Sequence, residues 1–160
     1  MRRDITEGYP GHSLRLGLRV VDADCAAVPG ALVEIWHADA TGDYSAFEDG
    51  GNGKDEGAGT TFCRGSQIAD DDGIAEFATI VPGWYPGRAV HIHVRVWVDD
   101  VEQLTAQLYF DGDALAAIYT ESAYADNGLP DTTNSTDGLA GDVATDGTLV
   151  AVSYTHLTLP

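Results

Sequence analysis

The chain has 160 residues, with 8 basic and 26 acidic side chains and a net charge of −18. That length allows one domain with a real core and is too short for two ordinary ones. Such an acidic surface repels polyanions, which argues against nucleic-acid and anionic-membrane partners, while a 44% apolar content excludes a disordered acidic tail. With Lys54 the single lysine, the acid excess suits a protein working at high salt, where screening relieves self-repulsion.

Period-two patterning dominates from the start. Leu14, Leu16, Leu18 and Val20 alternate with Arg15, Gly17 and Arg19, which reads as a strand with one buried face. A second strand is expected over 31–38, entered through Pro29-Gly30. A turn at Asp70-Asp71-Asp72-Gly73 precedes a strand through 77–81. The clearest strand is 90–98, and another follows over 104–110. Residues 113–119 read as the one short helix, with Asp113 as its N-cap. A last strand is expected near 149–152. Two stretches, 41–60 and 120–141, have no regular pattern, and loops of this length in a small domain are commonly functional. The expected class is all-β: an antiparallel β-sandwich with long functional loops and at most one short helix. Cys25 and Cys63 are the only cysteines and fit either one disulfide or two small core residues. Asn134-Ser135-Thr136 matches a glycosylation acceptor, a pattern that arises cheaply. No apolar run approaches the ~18 residues that span a bilayer.

The strand 90–98 carries the chemistry. Val90, Ile92, Val94, Val96 and Val98 form its apolar face, and His91, His93, Arg95 and Trp97 share the other. Residues two apart on a strand point the same way, about 6.6 Å apart, so two imidazoles can converge on one metal ion. Upstream, Pro82-Gly83-Trp84-Tyr85-Pro86-Gly87-Arg88 forms a tight irregular loop that keeps Tyr85 and Arg88 close to the histidine pair. Tyr44 follows a Gly-Asp turn and is placed to point inward. His37, beside Trp36, reads either as a third imidazole ligand or as a structural core histidine. Two tyrosines and two histidines would make a hard, anionic site suited to ferric iron, whereas zinc hydrolases offer histidine with carboxylate or cysteine. The chain has no HExxH, CxxC pair, P-loop or GxSxG.

Residues 30–40 with Gly42-Asp43-Tyr44-Ser45, and Pro82 to Arg88 with His91-Ile92-His93, resemble the two metal-binding stretches of the intradiol ring-cleavage dioxygenases. Asp4-Ile5-Thr6-Glu7-Gly8 and 104–110 resemble the short single-domain members of that family. The resemblance implies one β-sandwich domain over 1–152. It implies a non-haem Fe(III) held by Tyr44, Tyr85, His91 and His93. In the family pattern Tyr85 matches the axial tyrosine that leaves the metal on substrate binding. Arg88 matches the arginine that stabilises charge on the substrate ring, and Gln107 a glutamine beside the site. The implied reaction opens a catechol between its hydroxylated carbons with O2, giving a muconate-type diacid. Two alternatives stay open: an inactive β-sandwich binding domain, and a zinc enzyme built on the His-x-His pair.

The pattern departs from the family in places. The Tyr85–His91 interval is shorter than in protocatechuate dioxygenases, and the helical dimerisation region of catechol dioxygenases is missing, so neither that substrate nor that dimer is implied. The family's upstream Glu-Gly-Pro-Tyr-like segment is also missing, which points to an N-terminally incomplete chain. This N-terminus is no signal peptide; the export signals of short relatives favour an extracellular location over the cytoplasm. Residues 153–160 resemble adapter read-through and are set outside the domain, His156 with them.

Overall fold

A computed structural model describes residues 1–46 and 59–140. The expected strand at 149–152, the tail at 153–160 and part of the loop 41–60 lie outside the described residues. Among the described residues, six strands and one helix follow in chain order: β1 (Ser13–Arg19), β2 (Leu32–Trp36), β3 (Arg64–Ile68), β4 (Ile74–Ile80), β5 (His91–Val98), β6 (Val101–Tyr109) and α1 (Gly112–Ile118). β1 and β4 form a two-stranded antiparallel sheet. The other sheet has the order β3-β2-β5-β6, again antiparallel throughout. The fold is therefore the all-β antiparallel class that the alternation predicts.

The two sheets share one core. Leu14, Leu16, Ala75 and Phe77 come from the small sheet, and Val33, Ile35, Ile92, Val94, Val96 and Leu108 from the large one. Each fully buried aliphatic or aromatic side chain contributes about 1.5–3 kcal/mol over its exposed form. Because β5 lies between β2 and β6, its apolar face is covered by this core, and the period of two sends His91, His93, Arg95 and Trp97 to the opposite face. Register then sets their neighbours: His93 pairs with Trp36 on β2 and with Gln107 on β6, and His91 with Tyr109.

Several local expectations need adjustment. β3 escaped the sequence reading, since Arg-Gly-Ser-Gln-Ile has no apolar alternation and is an edge strand of intermediate burial. β2 ends at Trp36, so His37 and Ala38 leave the sheet while staying buried. β6 begins at Val101, with its early side chains exposed. The helix N-cap is Asp111, not Asp113. Asp111 has extended backbone (φ −68, ψ 131), and its carboxylate accepts from the amides of Asp113 and Ala114. Asp113 instead sits in the first turn, where its charge meets the positive end of the helix dipole. The 70–73 turn forms as expected, with the Asp70 carboxylate accepting from the Asp72 and Ile74 amides. Cys25 and Cys63 are free thiols. Cys63 is a core residue, but Cys25 is exposed, so neither the disulfide nor the paired-core reading holds.

Candidate metal centre

Four side chains from three segments converge above β5. His91 and His93 come from the strand, Tyr85 from the loop between β4 and β5, and Tyr44 from the turn after β2. The Nε2 atoms of the two histidines are 3.2 Å apart. Tyr44 Oη and Tyr85 Oη each lie 3.3 Å from His91 Nε2. A cation about 2.0–2.2 Å from each donor, at bond angles between a right angle and a tetrahedral one, places neighbouring donors about 2.8–3.6 Å apart. The observed separations fit that requirement.

The backbone explains why the two tyrosine loops meet. Gly83 N–H donates to Asp39 O at 2.7 Å. A Cβ on Gly83 would stand 2.3 Å from Ala40 O, and one on Gly42 (φ +91) would stand 2.3 Å from Trp84 O. Both contacts are backbone against backbone, so only glycine permits the approach. Asp39 Oδ1 accepts from the amides of Thr41 and Asp43, which shapes the turn presenting Tyr44. Asn127 then bridges both loops, donating to Thr41 O at 2.8 Å and Trp84 O at 3.3 Å.

Hydrogen bonding orients the imidazoles. Ala89 O can only accept, so His91 Nδ1, 2.6 Å away, carries the proton and Nε2 turns its lone pair to the centre. His93 stacks on Trp36 with ring centroids 4.7 Å apart and an interplanar angle of 2°. Burial holds both rings neutral, His91 down to about 4 and His93 down to about 3, with neighbouring cationic groups adding to the effect. Neutral imidazole is the form that ligates. Burial, followed by the neighbouring Tyr85, drives the Tyr44 phenol strongly upward. A phenolate at that position therefore requires a cation beside it. The donors fit a hard cation better than zinc: among the described residues, no three His, Cys, Asp or Glu side chains gather to hold a metal. The zinc alternative thus has no third ligand there.

Arg88 flanks the cluster. Its Nε donates to Asp137 at 3.0 Å, and its Nη2 to Gln107 Oε1 at 2.5 Å and to Tyr109 Oη at 3.4 Å. Gln107 Nε2 lies 3.4 Å from His93 Nδ1, so Gln107 joins Arg88 to the histidine pair. Burial works against the Arg88 charge, but the Asp137 carboxylate together with Tyr85 and Tyr109 outweighs it and raises the group above its ordinary value.

The structure brings together all six residues singled out from the sequence: Tyr44, Tyr85, His91, His93, Arg88 and Gln107. His37 stands apart from them. It is fully buried, with Nδ1 on Ala38 O and Nε2 on Thr79 Oγ1, both at 2.7 Å, so both nitrogens are spent in the core. Burial depresses its pKa from 6.5 to about 4. The folded state thus resists protonation that the unfolded chain accepts. His37 contributes its full stability above pH 6.5 and loses it as pH falls toward 4. His37→Gln cannot titrate, and the effect of acid on the many carboxylates is common to both proteins. The stability advantage of the parent over His37→Gln, from urea midpoints, is expected to shrink between pH 7.5 and 5. A constant difference would show that His37 titrates alike in both states.

Sequence reasoning missed Asp137, Tyr109 and Asn127. Asp137 and Asn127 lie in the unpatterned stretch 120–141, and their partners are more than forty residues away in sequence. The His91↔Tyr109 register would have placed Tyr109, had the pairing of β5 with β6 been counted out.

With this geometry in place, comparison identifies the family. A family model described as Dioxygenase matches residues 2–148. An intradiol ring-cleavage dioxygenase from Tetranychus urticae superposes with a TM-score of 0.83 at 31% identity, covering 93% of this chain and 76% of that one. The catechol 1,2-dioxygenase of Acinetobacter baylyi is 33% identical over 133 residues, 72% of this chain and 40% of that protein. The protocatechuate 3,4-dioxygenase beta chain of Burkholderia cepacia is 35% identical over 123 residues, 71% of this chain and 51% of the relative. The chain belongs to the intradiol ring-cleavage dioxygenase family. It spans about half or less of the length of these two enzymes.

Proposed function

We propose that this chain is a non-haem Fe(III) dioxygenase that opens a catechol ring between its two hydroxylated carbons. Both atoms of O2 enter the product, a muconate-type diacid. The observation that carries this reading is the convergence of two phenol oxygens and the His93 Nε2 atom, each 3.2–3.3 Å from His91 Nε2, with Arg88 alongside. Tyr44, Tyr85, His91 and His93 hold the iron. When bound, the ferric ion supplies Lewis-acid activation of the catecholate.

The protein's own groups do the rest. His91 and His93 stay neutral down to low pH and offer fixed lone pairs from a rigid central strand. Tyr44 is buried and is the constant phenolate. Tyr85 is less buried and sits on a loop, so its Oη can take up a proton from the incoming diol. Arg88, its guanidinium braced by Asp137 and Gln107, presents positive charge where negative charge builds on the ring. The braces set that charge in place before reaction, which avoids reorganisation at the barrier.

The test is the visible spectrum of the iron-loaded protein before and after anaerobic catechol. A tyrosinate-to-iron charge-transfer band that shifts on catechol addition is expected, followed by diacid formation when oxygen is admitted. Protein that stays colourless after ferric reconstitution overturns the ligand assignment. A coloured protein that cleaves no catechol supports the inactive-domain alternative.

A further inference from the structure

Asp137 stands outside the six residues read from the sequence, yet its carboxylate touches the site at two points. It is buried, and it accepts four hydrogen bonds. Oδ1 takes the amides of Leu139 and Ala140 at 2.7 and 3.0 Å. Oδ2 takes the Ala89 amide at 2.7 Å and Arg88 Nε at 3.0 Å. The first pair closes Asp137's own turn, as any capping carboxylate would. The second pair reaches across 48 and 49 residues to the segment entering β5.

That second pair bears on the chemistry. Arg88 Nε is held by Asp137, and its Nη2 by Gln107 and Tyr109. A planar guanidinium gripped at two nitrogens cannot rotate, and these bonds leave Nη1 for a substrate. Ala89 is bonded on both sides: its N–H donates to Asp137, and its C=O accepts from His91 Nδ1. One carboxylate thus orients the arginine, while the Ala89 carbonyl that sets the tautomer of His91 lies in the next peptide unit and makes no bond to Asp137. The turn bearing Asp137 is itself anchored, since Asn134 donates to Phe110 O at 2.9 Å and Asp137 N–H to Thr133 O at 2.9 Å. Burial alone would raise the Asp137 pKa, but the three amides and Arg88 pull it down to about 2, so it is an anion at working pH.

We infer that Asp137 is a positioning residue that acts through Arg88, fixing the guanidinium for charge stabilisation during ring cleavage. This rests on the proposed dioxygenase reading. It requires that Asp137 govern turnover and leave iron and catechol binding nearly unchanged.

Asp137→Asn preserves shape but removes the charge that faces Arg88 and sets an NH2 group against one of the two donor pairs, Arg88 with Ala89 or Leu139 with Ala140. The variant is expected to load iron with the parent charge-transfer band and to bind anaerobic catechol within about threefold. Its kcat should fall about tenfold or more, with little change in KM. In an Arg88→Ala background the same substitution should cost less than about twofold, because its route is already gone. A readout without turnover is the Arg88 Nε–H signal in a nitrogen-15 spectrum, assigned by its loss in Arg88→Ala. It should be sharp and slow to exchange in the parent and lost or fast-exchanging in Asp137→Asn.

An unchanged kcat, or an equal fall in both backgrounds, overturns the inference. If Asp137→Asn does not fold, Asp137→Glu carries the same tests, and full activity there also overturns it. If neither variant folds, Asp137 is a fold residue and the inference is lost. Failure of the dioxygenase reading is distinguishable, because the parent protein then shows no catechol cleavage in the same assay.

Discussion

His93→Ala is expected to purify colourless, to retain less than about a tenth of the parent's iron after ferric reconstitution, and to show no catechol cleavage. Altering a group that merely orients a metal ligand typically costs 10–100-fold in affinity or activity, and loss of a ligand atom should cost more. The other donors cannot move to compensate. His91 is fixed by its bond to Ala89 O, and the tyrosines sit on loops locked backbone to backbone through Gly42 and Gly83. The fold should survive, because His93 lies on the face of β5 away from the core and its main packing partner is the half-exposed Trp36. Iron analysis alongside circular dichroism separates the two effects. His37→Gln is the matched control and should keep its iron. A His93→Ala protein with full iron and an unaltered band would remove His93 from the ligand set.

Arg88→Ala should lose rate without losing metal. Removing one preorganised group that stabilises transition-state charge typically costs about 10²–10³ in kcat, and that is the fall expected here. Iron content and anaerobic catechol affinity should stay within about threefold, since none of the four donors takes a hydrogen bond from Arg88. Stability should decline as well. Asp137 would keep its three amide partners but lose its countercharge while buried, an arrangement that is destabilising. Single-turnover rates at a temperature where both proteins are folded isolate the chemical effect. Normal turnover in Arg88→Ala would end the charge-stabilising role.

Much of this was legible because strands write their faces into sequence. Five apolar residues alternating with His91, His93, Arg95 and Trp97 identify both the sheet and the side that carries the chemistry. The Gly-Asp and Pro-Gly turns announced the tight loops, and the structure adds the reason for two of their glycines, a carbonyl 2.3 Å from where a Cβ would be. What stayed illegible was long-range or unpatterned. β3 is an edge strand whose residues are neither clearly apolar nor alternating. Asp137 looked like one more acid in a chain with 26 of them, and only the folded arrangement places it under Arg88. The helix start was misread by two residues, because Asp111 and Asp113 are equally plausible caps until the backbone shows which is extended.

The four donors differ in what they are attached to. His91 and His93 belong to a strand hydrogen-bonded on both sides, so any change that shifts them must deform the sheet. Tyr44 and Tyr85 stand on loops outside the sheets, and Arg88 ends the second of these. Half of the site is therefore built into the sheet, and half is set by two loops whose positions rest on backbone contacts through Gly42 and Gly83. A side chain added at either glycine would push a tyrosine aside and leave the histidine pair in its strand. The site thus answers to two kinds of damage: strain in the sheet would move its nitrogens, and strain in the loops its oxygens.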